Sequence, residues 1–388
     1  MFGYVENGMK KNRLLLLVLP PVLGLFLAWE IGALRGRPAR SGGQDFDLLQ
    51  KVMALIKNDY VEEKNPVETM DGALKGLLNS LDPASCYLDR KTTGRYLEIQ
   101  KAEARDTGAV IYKAYGGFPQ VLFVHDNSPA AKNGIKTGDT ITEFEGRSAA
   151  PMSLTEASLY LKDNAGTPVK LKVIREADTM DLSVERTFRL AEAASFSANK
   201  DTAGILSVRS LRAGAAAEIR KNILPTIKSQ APAKAALIVD LRECAEGTVA
   251  EAQKVLNLFL RSEQAGYFEG KGGAREPLAC PDPPELDKLP LVVWTGPATM
   301  GPAEIVAAAL KEYRQAKVVG LQTVGLTAKQ EFLPLQDGSS IILSSAVYWV
   351  KPGASVWGKG VSPDVKLEIE DLGKAVYLEK TLGLVAAR

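Results

Sequence analysis

With 388 residues, 46% of them hydrophobic and 24% charged, the chain is long enough for two or three domains and too ordinary in composition to be disordered or fibrous. A formal charge of +2, spread evenly, excludes a basic nucleic-acid surface or an acidic partner as the organising feature. Cys86, Cys244 and Cys280 lie far apart and His125 is the only histidine, which excludes a disulfide framework, a cysteine-rich zinc site and H-E-x-x-H; no metal or other cofactor is expected.

The first element follows Lys10, Lys11 and Arg13: LLLLVLPPVLGLFLAWEIGAL, Leu14 to Leu34, whose only charge is Glu30. A basic leader and an almost uniformly apolar run read as a membrane-crossing segment, residues 14–34. No small-x-small cleavage site follows, so residues 1–40 are expected to be a cytoplasmic stub and uncleaved signal anchor. The body then lies outside the cytoplasm, as in the periplasm beside a bacterial-type inner membrane. The stretch RPARSGGQ, Arg37 to Gln44, reads as a short linker into residues 41–103, a helical region. Phe46, Leu49, Val52, Met53 and Ile56 recur at helical spacing, as do Val67, Met70, Leu74, Leu77, Leu78 and Leu81. Pro66 suits the first turn of the second helix and SLDPAS ends it.

Residues 104–188 change to short β runs, GAVIYK, QVLFV, DTITEFEG and VKLKVIRE, around the phrase HDNSPAAKNGIKTGD. That phrase resembles a PDZ domain's: Ser128, Pro129, Ala130, Gly134, Ile135, Gly138, Asp139 and Ile141 match it. The resemblance implies a β-barrel-like domain that adds a peptide C-terminus as an extra strand and holds its carboxylate on the N–H groups of a glycine loop. Here the loop is Thr107, Gly108, Ala109 and Val110; Val110 stands where a second glycine is common, and a β-branched residue resists positive φ. Residues 189–388 alternate apolar strands (AGILSV, AALIVDLR, LVVWTG, KVVGL) with helical stretches near 214–229, 249–262 and 303–313, then a β segment, SSIILSSAVYWV. No G-x-G-x-x-G follows a strand, so this α/β core is not a dinucleotide fold. The last helix is expected to be amphipathic.

The order of parts resembles the C-terminal processing (tail-specific) serine peptidases. GALKGLLNSLDPASCYLD, ALIVDLRECAEGTVAEAQKVLNLFL, FLPLQDGSSIILSSAVYWVKPG and GKGVSPDV each resemble a phrase of that family. The resemblance implies an α+β and α/β multidomain chain: membrane helix, helical pair, PDZ domain and a crotonase-like α/β peptidase core. It also implies a Ser–Lys dyad, in which a desolvated lysine takes the proton of the attacking serine. Aligned on Glu304 and Ile305, the nucleophile position is Gly301; in GLQTVGLT the base position is Leu326, at the family's usual interval. Gln330 matches a glutamine that assists the dyad. One oxyanion donor would be the N–H after the nucleophile, but Pro302 has none. The other comes from the loop that here reads ECAEG, Glu243–Gly247, whose carboxylates would repel an oxyanion if they faced it.

No catalytic set is therefore intact. Thr299, Cys244 and Lys329 are weak rescue candidates; Ser344, Ser345 and His125 read as structural. Gly301 and Pro302 also read as a well-formed helix start. The expected function is a membrane-anchored pseudopeptidase that binds C-terminal tails as an adaptor or regulator, with an active peptidase or copies of itself as further partners and no nucleic acid. The alternatives are an active endopeptidase with relocated residues and a structural envelope protein.

Overall fold

The computed structural model describes residues 42–101, 104–230, 236–369 and 372–386, and the apolar segment Leu14–Leu34 lies outside them. Among the described residues, no helix is long and apolar enough to cross a membrane. The chain divides into one unit ending at Met70 and another beginning at Asp71. In the first, the periodic run from Phe46 to Ile56 forms the helix Gly42–Asp59. The helix Pro66–Asn79 starts there too: the Asn65 side chain accepts the Val67 N–H at 3.0 Å, and Pro66 occupies a position that needs no N–H.

In the second unit, Asp82 accepts the N–H groups of Ala84 and Ser85 at 2.8 and 2.7 Å and turns the chain into the strand Cys86–Leu88. That strand pairs antiparallel with Ser340, Ile341 and Ile342 of the long strand Ser340–Lys351. Next comes an antiparallel sheet in the order Ala109–Tyr112, Gln120–Val124, Thr140–Phe144, Val169–Arg175, Asp178–Val184. Ile111, Val121, Ile141, Phe144, Leu171 and Val173 fill its interior. Ser128 caps the short helix Pro129–Lys132 by accepting the Ala131 N–H, and Ser153 caps Leu154–Tyr160 by accepting that of Glu156. Asp139, buried, takes two hydrogen bonds from Arg175, at 2.7 and 2.8 Å, and one from the Lys136 N–H. The SPA and GD of the sequence phrase are thus a helix cap and a buried ion-pair anchor.

The core holds a sheet ordered Ala194–Ser197, Ile205–Val208, Leu237–Asp240, Leu291–Thr295, Lys317–Gly320, Val365–Lys366, parallel after its first pair. At the end of Leu237–Asp240 the Arg242 guanidinium bonds both Asp240 oxygens at 2.8 Å and lies over the rings of Trp294 and Tyr377. A second sheet is built on Ser340–Lys351, which pairs with Ala328–Pro334, Cys86–Leu88, Tyr267–Gly270 and Ala354–Ser355.

Two expectations change. The stretch 249–262 is helical only as Val249–Leu256, because Asn257 exchanges hydrogen bonds with the backbone of Asp282 and turns the chain. The helix Pro302–Tyr313 is not amphipathic: Ala303 to Leu310 are all buried. It packs on the helix Val249–Leu256 and on strands of both sheets, and its alanines permit that close approach on every side.

Candidate functional site

The strand Leu291–Thr295 delivers the chain to a tight turn before the helix Pro302–Tyr313. Thr299 holds the turn: its buried hydroxyl accepts the Gly296 N–H at 2.9 Å and donates to the Leu241 carbonyl at 2.8 Å. The Met300 N–H donates to the Cys244 carbonyl at 3.2 Å. Gly301 then adopts φ 55, ψ −116, a conformation that side-chain-bearing residues avoid. The space is nevertheless there, since a Cβ on Gly301 would meet nothing nearer than the Leu326 carbonyl oxygen, 3.5 Å away.

Gly301 and Leu326, the positions that the resemblance assigns to the dyad, are joined through one carboxylate. Glu304, wholly buried, accepts the N–H groups of Gly301 at 2.9 Å, Gly325 at 2.6 Å and Leu326 at 2.7 Å, together with the Thr323 hydroxyl. Burial pushes its pKa up, against the pull of those four donors. The Thr323 hydroxyl in turn accepts the Val361 N–H at 2.8 Å, which ties in the GKGV stretch. Gly325 is required where it stands: a Cβ there would lie 2.7–2.8 Å from the backbone nitrogens of Gly358, Lys359 and Gly360. In the sequence Glu304 serves only to align the family phrase, and its N3 position announces no more than a cap on its own helix turn.

Each of the rescue candidates already has partners in this structure or is buried. Thr299 is committed twice, as described. Cys244 is fully buried and burial pushes its thiol far above the ordinary range, so no thiolate forms there. Lys329 pairs with Glu276 at 2.5 Å and lies over the Phe268 ring. Gln330 donates to the Ala84 carbonyl at 2.7 Å. Ser344 bonds Asp82 and Ser345 bonds the Lys329 carbonyl, both within the sheet framework. Among the described residues, no group of His, Cys, Asp and Glu is arranged to hold a metal ion.

The carboxylates of Glu243–Gly247 turn to cations rather than to Gly301. Glu243 lies 3.4 Å from Arg209 and 3.8 Å from His125, and Glu246 pairs with Lys162 of the PDZ-like domain. His125 is half-buried, stacked on Phe188 and edge-on to Phe123, and desolvation followed by Arg209 lowers its pKa, which favours the neutral ring.

In the glycine loop, the Thr107 N–H donates to the Leu161 carbonyl at 3.1 Å, Gly108 to the Asp106 carboxylate at 2.6 Å and Ala109 to the Thr107 hydroxyl at 3.3 Å. Val110 lies in the edge strand Ala109–Tyr112. Desolvation, then the like charge of Glu246, raises Asp106 from 3.8 to about 6. The folded state therefore holds the proton more tightly than the unfolded one. The group's contribution is full below pH 3.8 and is lost as pH rises through about 6. Asp106→Asn keeps an acceptor for Gly108 and removes the charge. It should gain about 3 kcal/mol at pH 8 and nothing near pH 3; denaturant midpoints at the two pH values check this.

Comparison with known proteins agrees with this architecture. The family model "Peptidase family S41" matches residues 202–367, "PDZ domain" matches 97–185 and "Activating protease CtpB N-terminal domain" matches 34–92. The carboxy-terminal processing protease CtpA of Bacillus subtilis is 30% identical over 367 residues, covering 93% of this chain and 77% of that protein. A carboxy-terminal-processing protease of Bartonella bacilliformis is 26% identical, covering 81% of this chain and 73% of its own length. Among solved structures, the photosystem II D1 C-terminal processing protease shares the fold with a TM-score of 0.65 at 21% identity, over 92% of this chain and 90% of that one.

Proposed function

The chain belongs to the C-terminal processing peptidases, peptidase family S41, and we propose that it is a member that binds protein C-termini without cutting them. One observation supports this reading: Glu304 holds the backbone N–H groups of both Gly301 and Leu326, the positions that the family resemblance assigns to nucleophile and base, and neither side chain can serve in those roles. Pro302 supplies no N–H to an oxyanion. Tail binding rests on the edge strand Ala109–Tyr112, which has Gln120–Val124 on one side and, among the described residues, no strand on the other. Thr107, Gly108 and Ala109 must exchange their internal hydrogen bonds for those to a terminal carboxylate, which makes binding weak and dependent on opening this loop. The apolar run Leu14–Leu34 supports a membrane anchor with the body outside the cytoplasm, where the protein would serve as adaptor or regulator for an active peptidase.

The test offers the full chain, in detergent, an unfolded protein substrate and labelled peptides. The expected result is peptide binding that is lost on amidation of the C-terminus, with no cleavage. Cleavage that disappears with Thr299→Ala, Cys244→Ala or Lys329→Ala would sink the proposal, and absence of binding would leave only a structural role.

A further inference from the structure

A cleft of about 390 Å³ opens where the end of the helix Pro66–Asn79 and the Asp82–Ser85 turn meet the turn after the strand Ala109–Tyr112. Its lining includes Lys75, Asn79, Asp82, Lys113, Tyr115 and Met152. Most of its charge is already matched. Lys75 lies 3.1 Å from Asp89 and 2.9 Å from Glu156. Asp82 accepts from Ala84, Ser85 and Ser344.

Lys113 differs. Its side chain donates only to two backbone carbonyls, those of Gly117 and Ala150, although the residue is 4% exposed. An ammonium has three donors, and a buried cation without a counter-charge is costly. Burial accordingly pushes the Lys113 pKa down. Asn79 adds a complementary deficit: its amide donates to the Pro151 carbonyl at 3.3 Å, while its side-chain oxygen is buried without a donor. The cleft therefore lacks one anion and one N–H.

We propose that this cleft is a specificity pocket for an acidic residue of a bound peptide, whose carboxylate pairs with Lys113 and whose backbone N–H reaches Asn79. The proposal rests on the tail-binding reading and deepens it. Lys113 follows directly on the free edge strand Ala109–Tyr112. A peptide laid antiparallel on that edge with its terminus at Gly108 runs toward Lys113. Five residues of strand span roughly 17 Å, which places the acid four or five residues before the C-terminus. Beside the pocket, Gln330 of the strand Ala328–Pro334 donates to the Ala84 carbonyl in the Asp82–Ser85 turn.

The experiment uses the full chain in detergent and four fluorescein-labelled decapeptides. They carry glutamate or glutamine at the fifth residue from the end, each with a free or an amidated C-terminus. The glutamate peptides are expected to bind about ten-fold tighter than the glutamine ones. Lys113→Met should abolish that ratio by weakening the glutamate peptides about ten-fold, with Asn79→Ala as a milder second variant that weakens both peptides. Equal affinities on the unaltered protein overturn the pocket, as does a ratio that survives in folded Lys113→Met. A glutamate preference that persists in amidated peptides upholds the pocket and removes the C-terminal reading. Dependence on the free terminus without a glutamate preference does the reverse, and no binding by any peptide overturns both.

Discussion

Glu304→Ala should lower stability by about 4 kcal/mol or more, the largest loss expected from any single exposed or buried polar side chain in the core. Four donors converge on this carboxylate, and three of them are backbone N–H groups, those of Gly301, Gly325 and Leu326, which come from two segments packed against each other. Removing the acceptor strands them together, at about 1–3 kcal/mol each before relaxation. Glu304→Gln should fall between, because its amide keeps one oxygen but turns an N–H toward the donors on the other side. Glu312→Ala, on the same helix in a partly exposed pair with Lys351, should change stability by less than about 0.5 kcal/mol. Denaturant midpoints followed by tryptophan fluorescence, with Trp294 fully buried beside Tyr377, read the difference. A Glu304→Ala loss below that of the Glu312 control would show that the clamp holds nothing.

What could be read in the residues, and what could not, divides by the range of the interaction. The turn at Asp82, the Ser128 cap and the Asp139 anchor are local, made within a few residues of the phrase that announces them. That Gly301 and Leu326 meet on one carboxylate agrees with the two phrases that pointed to them, each with its own spacing. Their physical link through Glu304 was not legible, because a glutamate at N3 of a helix is normally a cap on its own turn. Its additional bonds to Thr323, Gly325 and Leu326 exist only once a distant loop is folded over it. The same holds for the helix Pro302–Tyr313. An alanine-rich run has no polar face to count, so only the packing of both sheets and a second helix around it reveals burial on all sides. Lys113 is the sharpest case. A lysine ending a strand is normally solvated, and nothing in its neighbourhood in the sequence shows that its ammonium will face two carbonyls and no carboxylate.

Rebuilding the dyad alone should not restore turnover. Gly301→Ser finds room, since the nearest atom to a new Cβ is 3.5 Å away, at the cost of roughly 1–2 kcal/mol for a side chain at φ 55. Leu326→Lys places its backbone correctly, because Glu304 already holds the Leu326 N–H at 2.7 Å. Yet with Pro302 in place the attacked carbonyl would develop its charge facing a residue without an N–H. One oxyanion donor is worth about 10²–10³ in rate. The double substitution is therefore expected to show no cleavage of an unfolded substrate in a single-turnover assay read by mass spectrometry. Adding Pro302→Ala should raise cleavage about 10²–10³-fold above the double variant. Helix entry should survive, because Gly301 remains bonded to Glu304 through its N–H, a contact that does not depend on its side chain. Turnover in the double variant would refute the role given to Pro302. An equally silent, folded triple variant would place the remaining defect in Glu243–Gly247, the loop to which the resemblance assigns the other oxyanion donor and whose carboxylates pair with Arg209 and Lys162.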